Sequence, residues 1–131
     1  MRGERTIIVE DPDTGMTLEA WVRVVGEDVV VAVGGGERPH VGCVVLAQPG
    51  RPKRSAPGWS PSTSVLTIPP HKEEPIARAV AERLAAGCGR VAVVTAGVHD
   101  DGLDRAGIDV YLRLGERLAE AVAEAVGRRQ G

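Results

Sequence analysis

The sequence predicts one α/β domain, a two-layer sandwich in which two helices cover one face of a mostly antiparallel sheet of about six strands. Short segments with alternating apolar and polar residues fill much of the first half of the chain, as is typical of half-buried strands. Two later segments carry apolar residues at every third or fourth position, which is the period of a half-buried helix. The length of 131 residues suits a single domain that spans residues 1–131.

Three strands are predicted near the amino end. Residues 6–9 and 18–24 alternate in polarity, and the turn-forming residues 11–15 lie between them. A second turn at residues 26–28 leads to the β-branched run 29–33, which stops at three consecutive glycines. Because tight turns join these segments, we expect an antiparallel meander.

Three more strands complete the predicted sheet. Residues 41–47 are small or apolar on both faces, which is typical of a strand in the interior of a sheet. Residues 64–68 and 90–97 predict the fifth and sixth strands. Residues 48–61 contain four prolines and several basic residues, and this loop is either a plain connection or a lid over a site.

Two amphipathic helices are predicted in the second half of the chain. Residues 73–86 have Pro75 in the first turn and end near Gly87 and Gly89, as helices commonly begin and end. The last helix follows Asp104, a plausible N-cap. Its apolar face consists of Ile108, Tyr111, Leu112, Leu118, Val122 and Val126.

Composition excludes several classes of protein. Sixteen basic and eighteen acidic residues give a net charge of −2, so we expect no nucleic-acid partner. The charged amino end differs from a secretory signal, and no apolar run reaches the ~20 residues of a membrane span, so we expect a cytoplasmic protein with no membrane association. Cys43 and Cys88 lack metal-site spacing and are expected to be small buried apolar residues.

Three histidines follow or precede predicted strands, where rigid elements often hold binding groups. They are His40, His71 and His99. They are either three unrelated surface residues or parts of one site. His71 and Lys72 directly precede the first helix, whose amino end favours an anion such as phosphate. Glu73 and Glu74 support the other interpretation, a purely structural helix start.

Alternative sites are less well supported by the sequence. Three imidazoles with Asp100 or Asp101 would suit a catalytic zinc or iron, but no two histidines have the short spacing that such sites often show. The three glycines at positions 34–36 would let a ligand approach the backbone, although they lack a dinucleotide-binding spacing. Neither serines nor Cys43 lie in a nucleophile motif.

Several of these segments together resemble a known family. Residues 34–42, 64–66, 71–73 and 96–100, with the pairs Ala77-Arg78 and Ala81-Glu82, are similar to those of the LpdD-like proteins. These are the small D subunits associated with gallate-type phenolic-acid decarboxylases, and they are described as prenylated flavin chaperones. The resemblance spans residues 17–125. Pro70, where glycine is expected, and Asp101-Gly102 depart from the pattern and leave the shapes of those loops open.

The resemblance implies a non-catalytic protein with a fold similar to that of the proteasome-assembly chaperones. Such a protein would bind reduced prenylated FMN from a flavin prenyltransferase and deliver it to a UbiD-type decarboxylase. Chaperones of that fold pair through helices or a sheet edge, which implies a homodimer. The residues that match the polar positions of the family, and are therefore expected to bind the cofactor, are His40, His71, Lys72, Glu73, Arg78 and His99.

The composition limits how a flavin ring can be held. Flavin rings often stack on aromatic side chains, and the chain contains only Trp21, Trp59 and Tyr111. Trp59 lies in the proline-rich loop and would either close over a ring or anchor the loop. Two other functions stay open: an enzyme, either a histidine-based metal enzyme or a catalytic decarboxylase subunit, and an assembly chaperone without a small ligand.

Overall fold

Six strands and two helices make up the fold in the computed structural model, which describes residues 1, 3–69 and 72–130. This number of elements, and their order along the chain, confirm the predicted fold class. The elements are β1 (Glu4–Glu10), β2 (Thr17–Val25), β3 (Asp28–Gly36), β4 (Cys43–Gln48), β5 (Ser62–Thr67), α1 (Glu74–Cys88), β6 (Ala92–His99) and α2 (Arg105–Val126).

The six strands form one sheet in the order β1-β2-β3-β6-β4-β5. The first three strands are the predicted antiparallel meander. The last strand, β6, then enters between β3 and β4, parallel to β3 and antiparallel to β4. Consequently the connection from β3 to β4, residues 37–42, has to pass the end of β6. We call these residues the crossing loop.

Both helices lie on one face of the sheet, as predicted. α1 packs on β4 and β6, whereas α2 packs on β1 and β2, and the two helices contact each other. The layer between sheet and helices consists of aliphatic side chains, the two cysteines and one aromatic side chain, Tyr111. Its largest fully buried members are Leu18, Leu84, Leu114, Leu118, Val22, Val29, Val31, Val45, Val80, Val94 and Val122.

The helix ends follow from local sequence. The C-cap of α1 is Gly89, which has a left-handed backbone (φ 68°) and donates its N–H to Ala85 O at 3.2 Å, while Arg90 N donates to Leu84 O at 3.3 Å. Asp104 is the N-cap of α2, as predicted, and its carboxylate accepts a hydrogen bond from Gly107 N at 2.9 Å. Within the described residues, neither helix has the length and apolarity needed to cross a membrane.

The proline-rich loop packs against the carboxyl end of α1. Trp59 N donates to Ala86 O at 2.9 Å, and the Trp59 ring lies against Gly89 and under the guanidinium of Arg128, 5.3 Å from its centre. A helix of 15 residues is about 22 Å long, so Trp59 is far from the amino end of α1. The possibility that Trp59 closes over a ligand at that end is therefore wrong, and Trp59 anchors the loop.

The two cysteines are buried and free, in agreement with the sequence prediction. Cys43 begins β4, and Cys88 ends α1. Burial raises the pKa of both thiols, so both stay protonated near neutral pH. Neither side chain is suited to act as a nucleophile.

Candidate functional site

The crossing loop passes β6 on the sheet face that carries no helix, and glycines make room for it. A Cβ on Gly97 would lie 1.7 Å from His40 O, and a Cβ on Gly34 would lie 3.0 Å from the Pro39 Cβ. The loop follows the end of β6 by hydrogen bonds from Arg38 N to His99 O (3.1 Å) and from His40 N to Gly97 O (3.4 Å). Gly34 of the triple glycine thus accommodates the chain itself rather than a ligand.

This path brings His40 beside the amino end of α1. Its Nε2 lies 3.4 Å from Glu73 Oε1, and the Glu73 side chain is only 3% exposed. Gly42 leaves space for that carboxylate, because a Cβ there would lie 2.9 Å from Glu73 Cδ. Gly42 N in turn donates to Ala96 O at 2.8 Å. Glu73 therefore fixes the crossing loop against α1, and it is a structural member of the site.

On the other side of the crossing loop, Arg38, His40 and His99 line an open cleft at the end of β6. Asp101 Oδ1 lies 2.6 Å from the Arg38 guanidinium and 3.0 Å from His99 Nε2. The side chains of Arg38 and Asp101 are 66% and 71% exposed. An ion pair so open to water contributes at most about 1 kcal/mol, so an anionic ligand can compete with Asp101 for Arg38.

A small apolar cavity of about 20 Å³ lies between α1, β6 and α2, and we call it the apolar slot. Lys72 and Glu73 contribute its polar lining. Its apolar lining consists of Ile76, Val98, Leu103, Ile108, Leu112 and the ring of Tyr111.

Asp100 ties the apolar slot to the crossing loop. It accepts a hydrogen bond from the Tyr111 hydroxyl, and its other oxygen accepts one from Glu37 N at 2.8 Å. Burial, together with the bond to Asp100, raises the pKa of Tyr111 above its usual range, which keeps this hydroxyl protonated as a donor. The wall of the slot is thus held in place by α2, β6 and the crossing loop at once.

The amino end of α1 offers fewer backbone donors than its sequence suggested. Glu73 is the N-cap residue, and its carbonyl already accepts bonds from Ile76 N (3.1 Å) and Ala77 N (3.2 Å). Pro75 has no N–H to offer. An anion at this end would therefore depend on cationic side chains more than on the helix amides.

Most of the predicted cofactor-binding residues that the structure describes come together. His40 contacts Glu73, Lys72 precedes Glu73 at the slot, and His99 shares the cleft with His40. Arg78 is different, because its guanidinium pairs with Glu74 at 2.6 Å and Glu82 at 3.7 Å along α1. His71 lies outside the described residues, and its role stays a prediction.

Sequence reasoning missed several residues of the site. Arg38 lies in the segment on which the family resemblance was based, yet its type alone gave no reason to select it. Asp101 was considered only as a metal ligand and as a departure from the family pattern, and Ile108 and Leu112 of the slot only as parts of the apolar face of the last helix. Within residues 1, 3–69 and 72–130, no three histidine, cysteine or acidic side chains are arranged to hold a metal ion.

The aromatic residues are distributed unevenly around this site. Trp59 is at the opposite end of α1, and Trp21 lies on the sheet face without helices, 45% exposed. Tyr111 is the aromatic residue that lines the slot. A flavin at the slot would therefore meet aliphatic side chains and this one phenol ring, whereas one in the cleft would meet Arg38 and two imidazoles.

Comparison with known protein families gives a match over most of the chain. A family model described as the prenylated flavin chaperone LpdD-like domain matches residues 13–127 of the 131. No curated protein matches the chain. The match covers both helices, five strands and all the residues of the cleft and slot, and it confirms the resemblance noted in the sequence. The chain is therefore a member of the prenylated flavin chaperone LpdD-like family.

Proposed function

We propose that this protein binds reduced prenylated FMN at the cleft and apolar slot and delivers it to a UbiD-type decarboxylase. A flavin prenyltransferase would supply the cofactor. The observation that carries the proposal is the convergence of Lys72, Arg38, His40 and His99 at one end of a chain of this family, next to an apolar cavity. A carrier of this kind would work in the cytoplasm, where we expect the protein to be.

Phosphate recognition would come from side chains. Lys72 is exposed and lines the slot, and Arg38 is exposed in the cleft, so each side chain is open to a phosphate. His40 and His99 add imidazole N–H donors beside Arg38. Hydrogen bonds from charged donors to phosphate are short and about twice as strong as hydrogen bonds between neutral groups. These side chains would therefore supply most of the affinity for the phosphate.

The lining of the apolar slot is chemically suited to the prenyl-derived part of the cofactor. Its volume of about 20 Å³ holds little more than one water molecule, so the slot would have to widen to admit that group. A whole flavin exceeds it, so the ring system would lie mostly in the open cleft. Weak enclosure suits a carrier, since a cofactor that is fully buried would leave slowly. An affinity near micromolar, about −8 kcal/mol, would allow both capture and release.

In this role the protein makes and breaks no covalent bonds. The buried thiols and the structural carboxylate of Glu73 supply no group poised for catalysis. The chain binds, orients and releases the cofactor, and the prenylated flavin supplies its chemistry only in the decarboxylase. We therefore propose a non-catalytic accessory protein, and the identity of the aromatic acid would depend on the decarboxylase.

A transfer experiment tests the proposal. The protein is loaded anaerobically with reduced prenylated FMN, freed of excess cofactor and mixed with a cofactor-free UbiD-type decarboxylase, whose activity is then measured. We expect activity to appear with the loaded wild type and to fall with Lys72→Ala and Arg38→Ala. Lys53→Ala is the matched control, because Lys53 lies in the loop at the other end of α1.

Two outcomes would contradict the proposal. One is that the protein retains no cofactor after excess cofactor is removed; the other is that the loaded protein activates the decarboxylase no better than the same amount of free cofactor.

Arg78→Ala is a useful further variant. If Arg78 binds the cofactor, as the family resemblance implies, Arg78→Ala should behave like Lys72→Ala, whereas the pairs of Arg78 with Glu74 and Glu82 predict behaviour close to that of the control.

A further inference from the structure

Two adjacent aspartates follow β6, and their side chains have different surroundings. Asp100 accepts hydrogen bonds from the Tyr111 hydroxyl on α2 and from a backbone N–H of the crossing loop. Asp101 lies in the exposed turn that follows, and in the described part of the chain its carboxylate contacts only the side chains of Arg38 and His99. One carboxylate is therefore fixed by the fold, whereas the other is free to leave its partners.

A single oxygen of Asp101 bridges both partners. Oδ1 lies 2.6 Å from the Arg38 guanidinium and 3.0 Å from His99 Nε2. The backbones of the two partners are joined as well, because Arg38 N donates to His99 O at 3.1 Å. The crossing loop thus holds a guanidinium and an imidazole together at the end of β6, and the position of Oδ1 marks where an anionic oxygen lies between them.

A phosphate is a stronger ligand for these two donors than the carboxylate that now contacts them. Arg38 and Asp101 are mostly exposed and His99 is 36% exposed, so water screens the attraction of the carboxylate. A phosphate monoester carries a charge of about −1.5 to −2 near neutral pH and three acceptor oxygens, against one charge and two oxygens for a carboxylate. Once displaced, Asp101 can turn outward and be solvated by water.

We propose that Arg38 and His99 form a phosphate-binding site that Asp101 occupies in the free protein and leaves when the cofactor binds. This inference rests on the proposed function, since the phosphate is that of the carried flavin mononucleotide. Binding exchanges one anion for another, so the net gain from the phosphate is reduced. On release, Asp101 returns to its partners. Asp101 is thus the residue that keeps the affinity low enough for transfer.

A simpler explanation must be separated from this exchange, namely that any acidic residue near the cleft weakens the binding of an anion. Glu37 provides the comparison. It directly precedes Arg38 and is exposed, but within the described residues its carboxylate pairs with neither Arg38 nor His99. Its backbone N–H, which donates to Asp100, is kept when the side chain is shortened. Glu37→Ala is therefore the matched control for Asp101→Ala.

Anaerobic titration with reduced prenylated FMN, followed by absorbance, tests the exchange. We expect Asp101→Ala to bind about tenfold more tightly than the wild type, and Glu37→Ala to differ from it by less than about threefold. Asp101→Ala should also give up the cofactor more slowly to a cofactor-free UbiD-type decarboxylase. In an Arg38→Ala background the gain from Asp101→Ala should fall below about threefold, because the shared donor is gone.

Inorganic phosphate gives a readout that does not depend on the flavin. The NMR signals of the His99 ring should report phosphate binding at lower concentration in Asp101→Ala than in the wild type or Glu37→Ala. Binding of phosphate or cofactor that is no tighter in Asp101→Ala than in Glu37→Ala would overturn the inference, as would a gain that persists in full without Arg38. If none of the proteins binds the cofactor, the proposed function fails, and the phosphate titration alone decides the role of Asp101.

Discussion

Arg90 shows how a single buried cation can connect distant segments. It is 7% exposed, and it donates to the carbonyls of Gly127 (2.7 Å), Glu27 (2.8 Å), Arg128 (3.2 Å) and Val126 (3.3 Å). These bonds join the end of α2 to the turn before β3. The charged guanidinium replaces the backbone partners that the last carbonyls of a helix lack.

Replacing Arg90 by methionine keeps the apolar stem and removes every donor. Each bond to a charged group is worth about 1.5–3 kcal/mol, but the freed carbonyls can reach water, so we expect the free energy of unfolding to fall by about 2–4 kcal/mol. Urea unfolding measures this. Arg83→Met, at an exposed position of α1, should change it by less than about 0.5 kcal/mol, and equal losses in the two variants would contradict the assignment.

Tyr111, the one tyrosine of the chain, makes the slot sensitive to alkaline pH. Its pKa is raised above the ordinary value of 10.0 by burial and by its bond to Asp100. The folded state therefore keeps a proton that the unfolded chain loses above pH 10, so this stabilisation is complete below that pH and is lost as the pH rises through the folded-state pKa.

Phenolate absorbance reports this titration directly because no other tyrosine contributes. We expect the folded protein to titrate at higher pH than the urea-unfolded chain. The free energy of unfolding should also decline less steeply above pH 10 in Tyr111→Phe than in the wild type. Identical titration curves for the folded and unfolded protein would show that Tyr111 does not form the bond to Asp100.

Among the structural elements, the crossing loop depends most on glycine. A methyl group on Gly97 would lie 1.7 Å from His40 O, so Gly97→Ala must displace the loop or the strand. We expect a loss of about 1–3 kcal/mol in unfolding free energy. Gly87→Ala is the matched control, since Gly87 is helical with its nearest neighbour 3.8 Å away and should gain roughly 0.5–1 kcal/mol. Thermal unfolding compares them, and a stabilised Gly97→Ala would contradict the loop path.

The elements also show which features local sequence can predict. The meander, both helices and the Asp104 cap follow from alternation, helical period and turn residues, which act over a few positions. The insertion of β6 between β3 and β4 does not, because several strands have similar valine-rich faces and their pairing joins residues 45 or more positions apart. The crossing loop, the slot and the position of Trp59 depend on that pairing, so they could not be predicted.

At the scale of the whole molecule, the two ends of α1 have different surroundings. The amino end carries Lys72, the buried Glu73 and the apolar slot, whereas the carboxyl end carries the loop anchored by Trp59. The family resemblance points to the first end through residues 34–42 and 96–100. What it did not indicate is that Arg38 and Asp101 share the cleft, because only the crossing loop brings them together.

The two lysines of the chain lie at these opposite ends, which makes them a natural pair for the most direct test. Reduced prenylated FMN is titrated anaerobically into the wild type, Lys72→Ala and Lys53→Ala, and binding is followed by absorbance. The account predicts wild-type affinity near micromolar, a loss of about tenfold or more in Lys72→Ala, and a change below about twofold in Lys53→Ala. Equal affinity in all three proteins, or no binding to the wild type at concentrations far above micromolar, would contradict it.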